Sequence, residues 1–435
     1  MSKPQQRAAD EPLSRIMQRD GFSPDLPASL GAGAARKDNV GNGRRTPLTL
    51  HVLLYMFRGI RVGSLDVRLP NGTMRHFAGS EAGPHGVLLL HDASVVGHVL
   101  RGGEVGFGDA YLAGAWDSPD LTQLLIVLYL NEKNLKGPVE FNRLGRLYGY
   151  IQHKRRANSK SGARANIEHH YDLGNEFYRL WLDETLAYSS AVYATPQQKL
   201  YDAQLNKFAL MAERLQLQAG QHLLEIGSGW GGFAIYAAQH HGVRVHSITL
   251  SSEQLAEATI RAQQAGVADR VTFELRDYRD IAGQYDRVVS IEMYEAVGEE
   301  YWPGYFAAIE KALKPGGRAA IQGITINAKI FDEYRGKRDF IQKYIFPGGM
   351  LSPPGLFQDL ALSAGLRTEN ASFYAIDYAD TLAAWHRNVL AVRDQVVQLF
   401  DERFLRMWRY YLSYCECGFR VGSIDLMQIS LVKPA

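Results

Sequence analysis

From Gln221 onward the chain alternates short apolar runs with amphipathic segments long enough to be helices. The runs are Gln221 to Ile226, Val243 to Leu250, Val271 to Leu275, Tyr285 to Ile291 and Arg318 to Ile326. This alternation predicts a mostly parallel sheet wrapped by helices, a Rossmann-like α/β domain. Residues 48 to 130 follow another pattern. A helical stretch begins near Leu48, strand-like runs follow at Ser64 to Leu69 and Val87 to Leu90, and a glycine-rich passage, Gly102 to Gly108, leads to an apolar run from Leu121 to Leu130. A small α+β unit is expected there. The last run contains Thr122 and Gln123 and is far short of the roughly 20 residues a spanning helix needs, so no membrane anchor is expected. Residues 1 to 46 mix Pro, Gly, Ala, Ser and Arg without apolar periodicity and read as disordered. The expected organisation is a disordered segment (1–46), a small domain (47–135), a linker (136–165) and a large α/β domain (166–435).

Charge changes this picture in one place. The formal net charge of +2 over 435 residues argues against nucleic-acid binding as the main activity. Between Phe141 and Arg164, however, Arg143, Arg146, Lys154, Arg155, Arg156, Lys160 and Arg164 occur with no acid among them. Such a stretch is either a solvated linker or a contact to anionic lipid, at about 1 kcal/mol per basic residue near the surface. The first residues carry no basic segment followed by an apolar stretch, so a cytoplasmic protein is expected. Cys415 and Cys417, one residue apart, suit neither a disulfide framework nor a four-ligand zinc site, and both are expected to be reduced.

The clearest chemical signal is Leu223-Leu-Glu-Ile-Gly-Ser-Gly-Trp-Gly-Gly232, placed where the first strand should turn into a helix. Gly227, Gly229 and Gly231 let backbone approach a ligand there. The glycines alone also satisfy a dinucleotide pattern. Glu225, two residues before the first glycine, breaks the tie. A carboxylate at that point repels pyrophosphate but suits the cationic methionine part of S-adenosylmethionine. The second run ends Ser247-Ile-Thr-Leu-Ser-Ser-Glu-Gln254, which offers Thr249 and Gln254 to a ribose instead of the acid of a nicotinamide site. Asp277 after the third run can accept from an adenine amino group, with Tyr278 stacking beside the ring.

His170-Tyr-Asp-Leu-Gly-Asn-Glu-Phe-Tyr178, the glycine loop, Lys343-Tyr-Ile-Phe-Pro-Gly-Gly349 and Glu402-Arg-Phe-Leu-Arg-Met-Trp-Arg-Tyr-Tyr411 together resemble the cyclopropane-fatty-acid synthase family. The likeness runs from about Asn166 to the C-terminus. It implies a class I methyltransferase domain preceded by a small α+β lipid-binding domain, S-adenosylmethionine as donor, and unsaturated membrane phospholipids as substrate. It also implies a homodimer, peripheral on the inner face of the cytoplasmic membrane. Tyr188 and Ser189 would close over the donor, Gly227 and Gly229 line it, Thr249, Leu250 and Gln254 meet its ribose, and Asp277 and Tyr278 frame the adenine.

An alkene is a weak nucleophile, and methyl transfer to it leaves a carbocation that needs a dry pocket and electron-rich rings. Tyr188, Tyr193, Tyr294, Tyr344, Phe346 and Tyr378 are candidates, although any one of them can equally be core. A base must then remove a proton. In the resembled family the base is a bound bicarbonate, and the residues that would hold it here are Ser190 (where Cys is usual), Glu295, Gln322 (where His is usual), the backbone at Ile324, and Tyr378. The family's Phe-Glu-His-Val-Gly reads Tyr294-Glu-Ala-Val-Gly298. Ser190 and Gln322 can still donate to an anion. Cyclopropane formation is therefore the expected outcome, with a methylated, ring-free chain as the alternative if Glu295 or water takes a different proton. Adjacent His169 and His170 would point to different faces of a helix, so no metal is expected. Two other functions fit less well: a methyltransferase for small soluble molecules, for which the first domain has no use, and a lipid carrier with a vestigial fold, for which Glu225, Asp277 and Glu295 have none.

Overall fold

A computed structural model describes residues 48–135 and 173–435. The expected disorder of residues 1–46 and the basic stretch from Phe141 to Arg164 lie outside the described residues, as do His169 and His170. Contacts divide the chain into two compact units, Met1–Asn142 and Arg143–Ala435.

In the first unit, helix α1 (Leu48–Phe57) precedes β1 (Val62–Arg68), β2 (Met74–Ala78) and β3 (Glu81–Leu90); α2 (Ser94–Leu112), β4 (Trp116–Asp117) and α3 (Leu121–Leu130) complete it. The sheet order is β2-β1-β3-β4. Alternate residues of β1 and β3, Leu65, Val67, Leu88 and Leu90, are buried, as period-two patterning requires. The glycine-rich passage is helical on both sides of a kink at Gly103. Gly106 is needed there, because a Cβ would lie 2.0 Å from the His98 carbonyl oxygen. Buried Asn131 joins the end of α3 to the start of β1, its amide oxygen accepting from Arg61 and Val62 N–H and its amide nitrogen donating to the Val62 and Val127 carbonyls.

The second unit is the predicted α/β domain. Helix α4 (Asn175–Trp181) and α5 (Leu200–Leu215) lead to β5 (His222–Ile226), α6 (Gly232–His241), β6 (Arg244–Thr249), α7 (Ser252–Gln264), β7 (Val271–Leu275), β8 (Tyr285–Ile291), α8 (Trp302–Ala312) and β9 (Leu313–Ile326). All five expected runs are strands. Two more, β10 (Arg367–Phe373) and β11 (Ile424–Val432), pair antiparallel beside β9, giving the order β10-β11-β9-β8-β5-β6-β7. Strand β10 escaped the apolar pattern because it is largely exposed and polar, whereas β11 is buried and mostly apolar and was passed over. Chain order reverses at β5, which lies between β6 and β8, so the crevice beyond the strand ends is where such sheets bind ligands. Leu224 and Ile226 face one core with Trp302, Tyr305 and Phe306, while Leu223 faces the other with Phe208, Met211 and Phe233. Helices α9 (Pro354–Ser363), α10 (Ala375–Ala391) and α11 (Glu402–Arg420) finish the domain, the last two packed on each other.

Candidate active site

Strand β5 ends in the glycine loop at the switch point. Gly227 and Gly231 take φ values of 96° and 83°, in the region only glycine enters without strain. A Cβ at Gly229 would meet nothing within 4 Å, so the loop faces open space, and the neighbouring Ser228 hydroxyl is buried without a partner. Glu225 is buried and accepts from the Ser247 hydroxyl at 2.5 Å, its in-register neighbour on β6. Burial pushes its carboxyl up to about 8 against the opposing pull of Ser247 and Lys207. At the end of β6, the Thr249 hydroxyl donates to Gln254 Oε1 at 3.0 Å, and Ser251 caps α7 by accepting from Gln254 N. Leu250 lies between them in the same turn. Asp277 caps a short turn and is held by Arg279 at 2.6 Å, while Tyr278 is half-buried with its ring edge-on to Tyr305.

The second feature is a carboxylate that the sequence reading passed over. Glu292 follows β8 directly, at φ 52°, a strained conformation for a residue with a side chain. Its N–H is fixed by the Gln322 carbonyl. Three donors from three separate elements converge on the carboxylate: Ser190 N–H and Gln322 Nε2 to Oε1, each at 2.8 Å, and the Tyr378 hydroxyl to Oε2 at 2.5 Å. Burial raises its pKa, opposed by these bonds and by Lys207. Glu295, one turn further, accepts from Ile324 N–H through Oε1, and its Oε2 is enclosed without a partner. Burial first, and the Glu292 charge second, push Glu295 up to about 8. Burial and the neighbouring carboxyl favour the protonated form of Glu295 at neutral pH, while the three bonds to Glu292 favour its ionised form over that of Glu295.

This arrangement decides where each expected residue stands. Of the groups assigned to bicarbonate, the Gln322 amide and the Tyr378 hydroxyl already donate to Glu292, and the Ile324 N–H donates to Glu295. The Ser190 hydroxyl turns away to the Ala191 carbonyl at 2.7 Å. The residues present therefore do not fit a separate bicarbonate ion. Tyr188 sits among Tyr178, Trp181, Trp385 and Trp408, with ring centroids 5.4 to 6.4 Å away, and its hydroxyl meets that of Tyr411 at 2.8 Å. Ser189 accepts from Lys207 at 2.7 Å. Tyr378 stacks on Phe419, and Phe346 stands edge-on to Tyr411. Tyr294 instead lies in the core between Trp302 and Phe357, and Tyr344 packs on Phe340. Two signals were available in the sequence: Glu292 ends a strand as Glu225 nearly does, and it stands three residues before Glu295. Lys207 gave none, since it reads as one more charge on an amphipathic helix.

A family profile described as mycolic acid cyclopropane synthetase matches residues 158–429. The chain belongs to this family. It is 38% identical over 400 residues, 90% of each chain, to the tuberculostearic acid methyltransferase of Mycobacterium tuberculosis. To the cyclopropane-fatty-acyl-phospholipid synthase of Escherichia coli (strain K12) it is 36% identical over 335 residues, 76% of this chain and 84% of the relative. A crystal structure of a mycolic acid cyclopropane synthase complexed with SAH and CTAB superposes with a TM-score of 0.59 at 30% identity, covering 62% of this chain and 98% of that one. The fold is that of an S-adenosylmethionine-dependent methyltransferase. The donor fits the synthetase site on the residues present: an open glycine loop, an unpartnered Ser228 hydroxyl and a buried acid behind them. Among the described residues no helix is long and apolar enough to cross a membrane, and no cluster of His, Cys, Asp and Glu is set to hold a metal.

Proposed function

We propose that this protein methylates the double bond of an unsaturated acyl chain carried by a membrane phospholipid, with Glu292 receiving the proton that the product must lose. The observation that carries this reading is the Glu292 carboxylate, fixed by Ser190, Gln322 and Tyr378 where an external anion was expected. Tyr188, Ser189, Gly227, Gly229, Thr249, Leu250, Gln254 and Tyr278 would hold the donor, with Glu225 behind its cationic end and Asp277 at the adenine. When bound, S-adenosylmethionine supplies an electrophilic methyl group to one alkene carbon, leaving a cation on the other. The rings of Tyr188, Tyr378 and Phe346 stabilise that cation by about 0.5 to 2 kcal/mol each. Glu292 then takes a proton, and the C–H electron pair stays with the lipid. Glu295, protonated, keeps negative charge from doubling beside the base.

A methylated, still unsaturated chain is the product this reading favours. Its support is the relative matched over 90% of both chains, whose name is that of a tuberculostearic acid methyltransferase. Ring closure to a cyclopropane is the second reading, supported by the Escherichia coli relative. The first unit would bind lipid, and the protein would act as a homodimer on the inner face of the cytoplasmic membrane. Expression in a host without such enzymes, followed by mass spectrometry of its fatty acids, is the test. A gain of one CH2 in unsaturated species is expected. Uptake of hydrogen under mild catalysis marks the ring-free product, and upfield ring protons in NMR mark the cyclopropane. No mass gain in any unsaturated chain overturns the proposal.

A further inference from the structure

Helix α5 carries an unusual face. Gln204 and Lys207, three residues apart and therefore on one side of the helix, are both fully buried. Gln204 Nε2 donates to the Ser189 carbonyl at 2.9 Å, and Lys207 Nζ donates to the Ser189 hydroxyl at 2.7 Å. Asn206 adds a bond to the Val192 carbonyl at 2.8 Å. The strip so fastened carries Tyr188 and Ser189, proposed above to hold the donor, and Ser190, whose N–H holds Glu292. Lys207 is also the one lysine or arginine buried among the described residues. Three acids from three places act on it: Glu292 after β8, Asp183 after α4 and Glu225 in β5. Glu292 in turn faces Tyr378 from α10 and Glu295 from its own turn, and Arg261 of α7 shares the field of Asp183. A buried ammonium without function would be replaced at little loss by an apolar side chain, because its desolvation is unfavourable.

We propose that Lys207 is a positioning residue for the methyl-transfer site. Its ammonium clamps Ser189 and supplies the interior positive charge that keeps the Glu292 carboxylate ionised between turnovers. This rests on the reading of Glu292 as proton acceptor. Burial lowers the lysine to about 8, so the ammonium is present through neutral pH and is lost above it.

The test is the pH profile of turnover on unsaturated phospholipid vesicles, measured for the full chain, Lys207→Met, Ser189→Ala and Glu292→Gln. Lys207→Met should move the acid limb of kcat upward by about one pH unit, because Glu292 loses its counter-charge. Ser189→Ala, which removes the clamp and keeps the charge, should raise KM for the donor and leave the limb in place. In the Glu292→Gln background the Lys207→Met cost should shrink to about twofold, the mark of coupled residues. A Lys207→Met protein that melts like the parent and loses activity equally at every pH overturns the proposal. An acid limb that moves with Ser189→Ala overturns it as well, and does so even where Lys207→Met does not fold. Full turnover by Glu292→Gln defeats the base assignment separately, since the limb of Lys207→Met is still read on its own.

Discussion

Glu225 and Glu292 are acids at the C-terminal ends of two neighbouring parallel strands, yet they are held in opposite ways. Glu225 lies in regular strand backbone and is satisfied by Ser247, its direct neighbour in the sheet. Glu292 stands at a positive φ and draws donors from residues 190, 322 and 378. Burial drives both carboxyls upward. The difference lies in how much opposes it: one hydroxyl and a lysine for Glu225, three directed hydrogen bonds and the same lysine for Glu292. A carboxylate satisfied by its neighbour in the sheet stays a neutralised backstop. One gripped by three separate elements is aimed, and its bonds favour the ionised form that a base requires.

The sharpest way to break this comparison is Glu292→Gln. Turnover should fall by about 10²- to 10⁴-fold while calorimetry finds donor affinity nearly intact; a variant at wild-type rate would return the base role to Glu295. Tyr378→Phe removes one donor to a charged acceptor, worth about 1.5 to 3 kcal/mol, and should slow kcat by about 10- to 100-fold. Its acid limb should also rise, since Glu292 loses a bond that favours its ionised form.

Glu225→Gln should act less on rate and more on the donor, weakening its binding by on the order of tenfold, about 1.4 kcal/mol. It also has a stability signature. A carboxyl raised from 4.5 to about 8 keeps its proton in the folded domain after the unfolded chain has released one. Its contribution is complete below pH 4.5 and is lost as pH rises through 8, so melting temperatures taken across that window should fall less steeply in the variant. Smallest of all should be Ser190→Ala. Its hydroxyl serves only the Ala191 carbonyl and its N–H survives, so turnover should change by about twofold or less. A hundredfold loss would mean that the hydroxyl, not the backbone, holds the seat.

Much of this molecule was legible without coordinates. The period of the apolar runs placed five parallel strands, because a strand buried on both faces must be apolar throughout. The glycine loop and Glu225 could be read together because their chemistry is local, confined to one strand and the turn after it. Strand β10 was not legible, since an exposed polar strand is made by its partner and not by its own pattern, whereas β11 is buried and mostly apolar and could have been read. The kinked helix through Gly103 was not legible either; its Gly106 is required by a close backbone approach that no spacing reveals. The site divides along the same line. Sequence alone determined that a sulfonium donor suits the first strand's end and that Ser190, Gln322, Ile324 and Tyr378 are not a random set. Only the tertiary structure decided what those four groups hold, because a hydrogen bond depends on where atoms meet, and Glu292 meets donors from as far as 102 positions before it and 86 after.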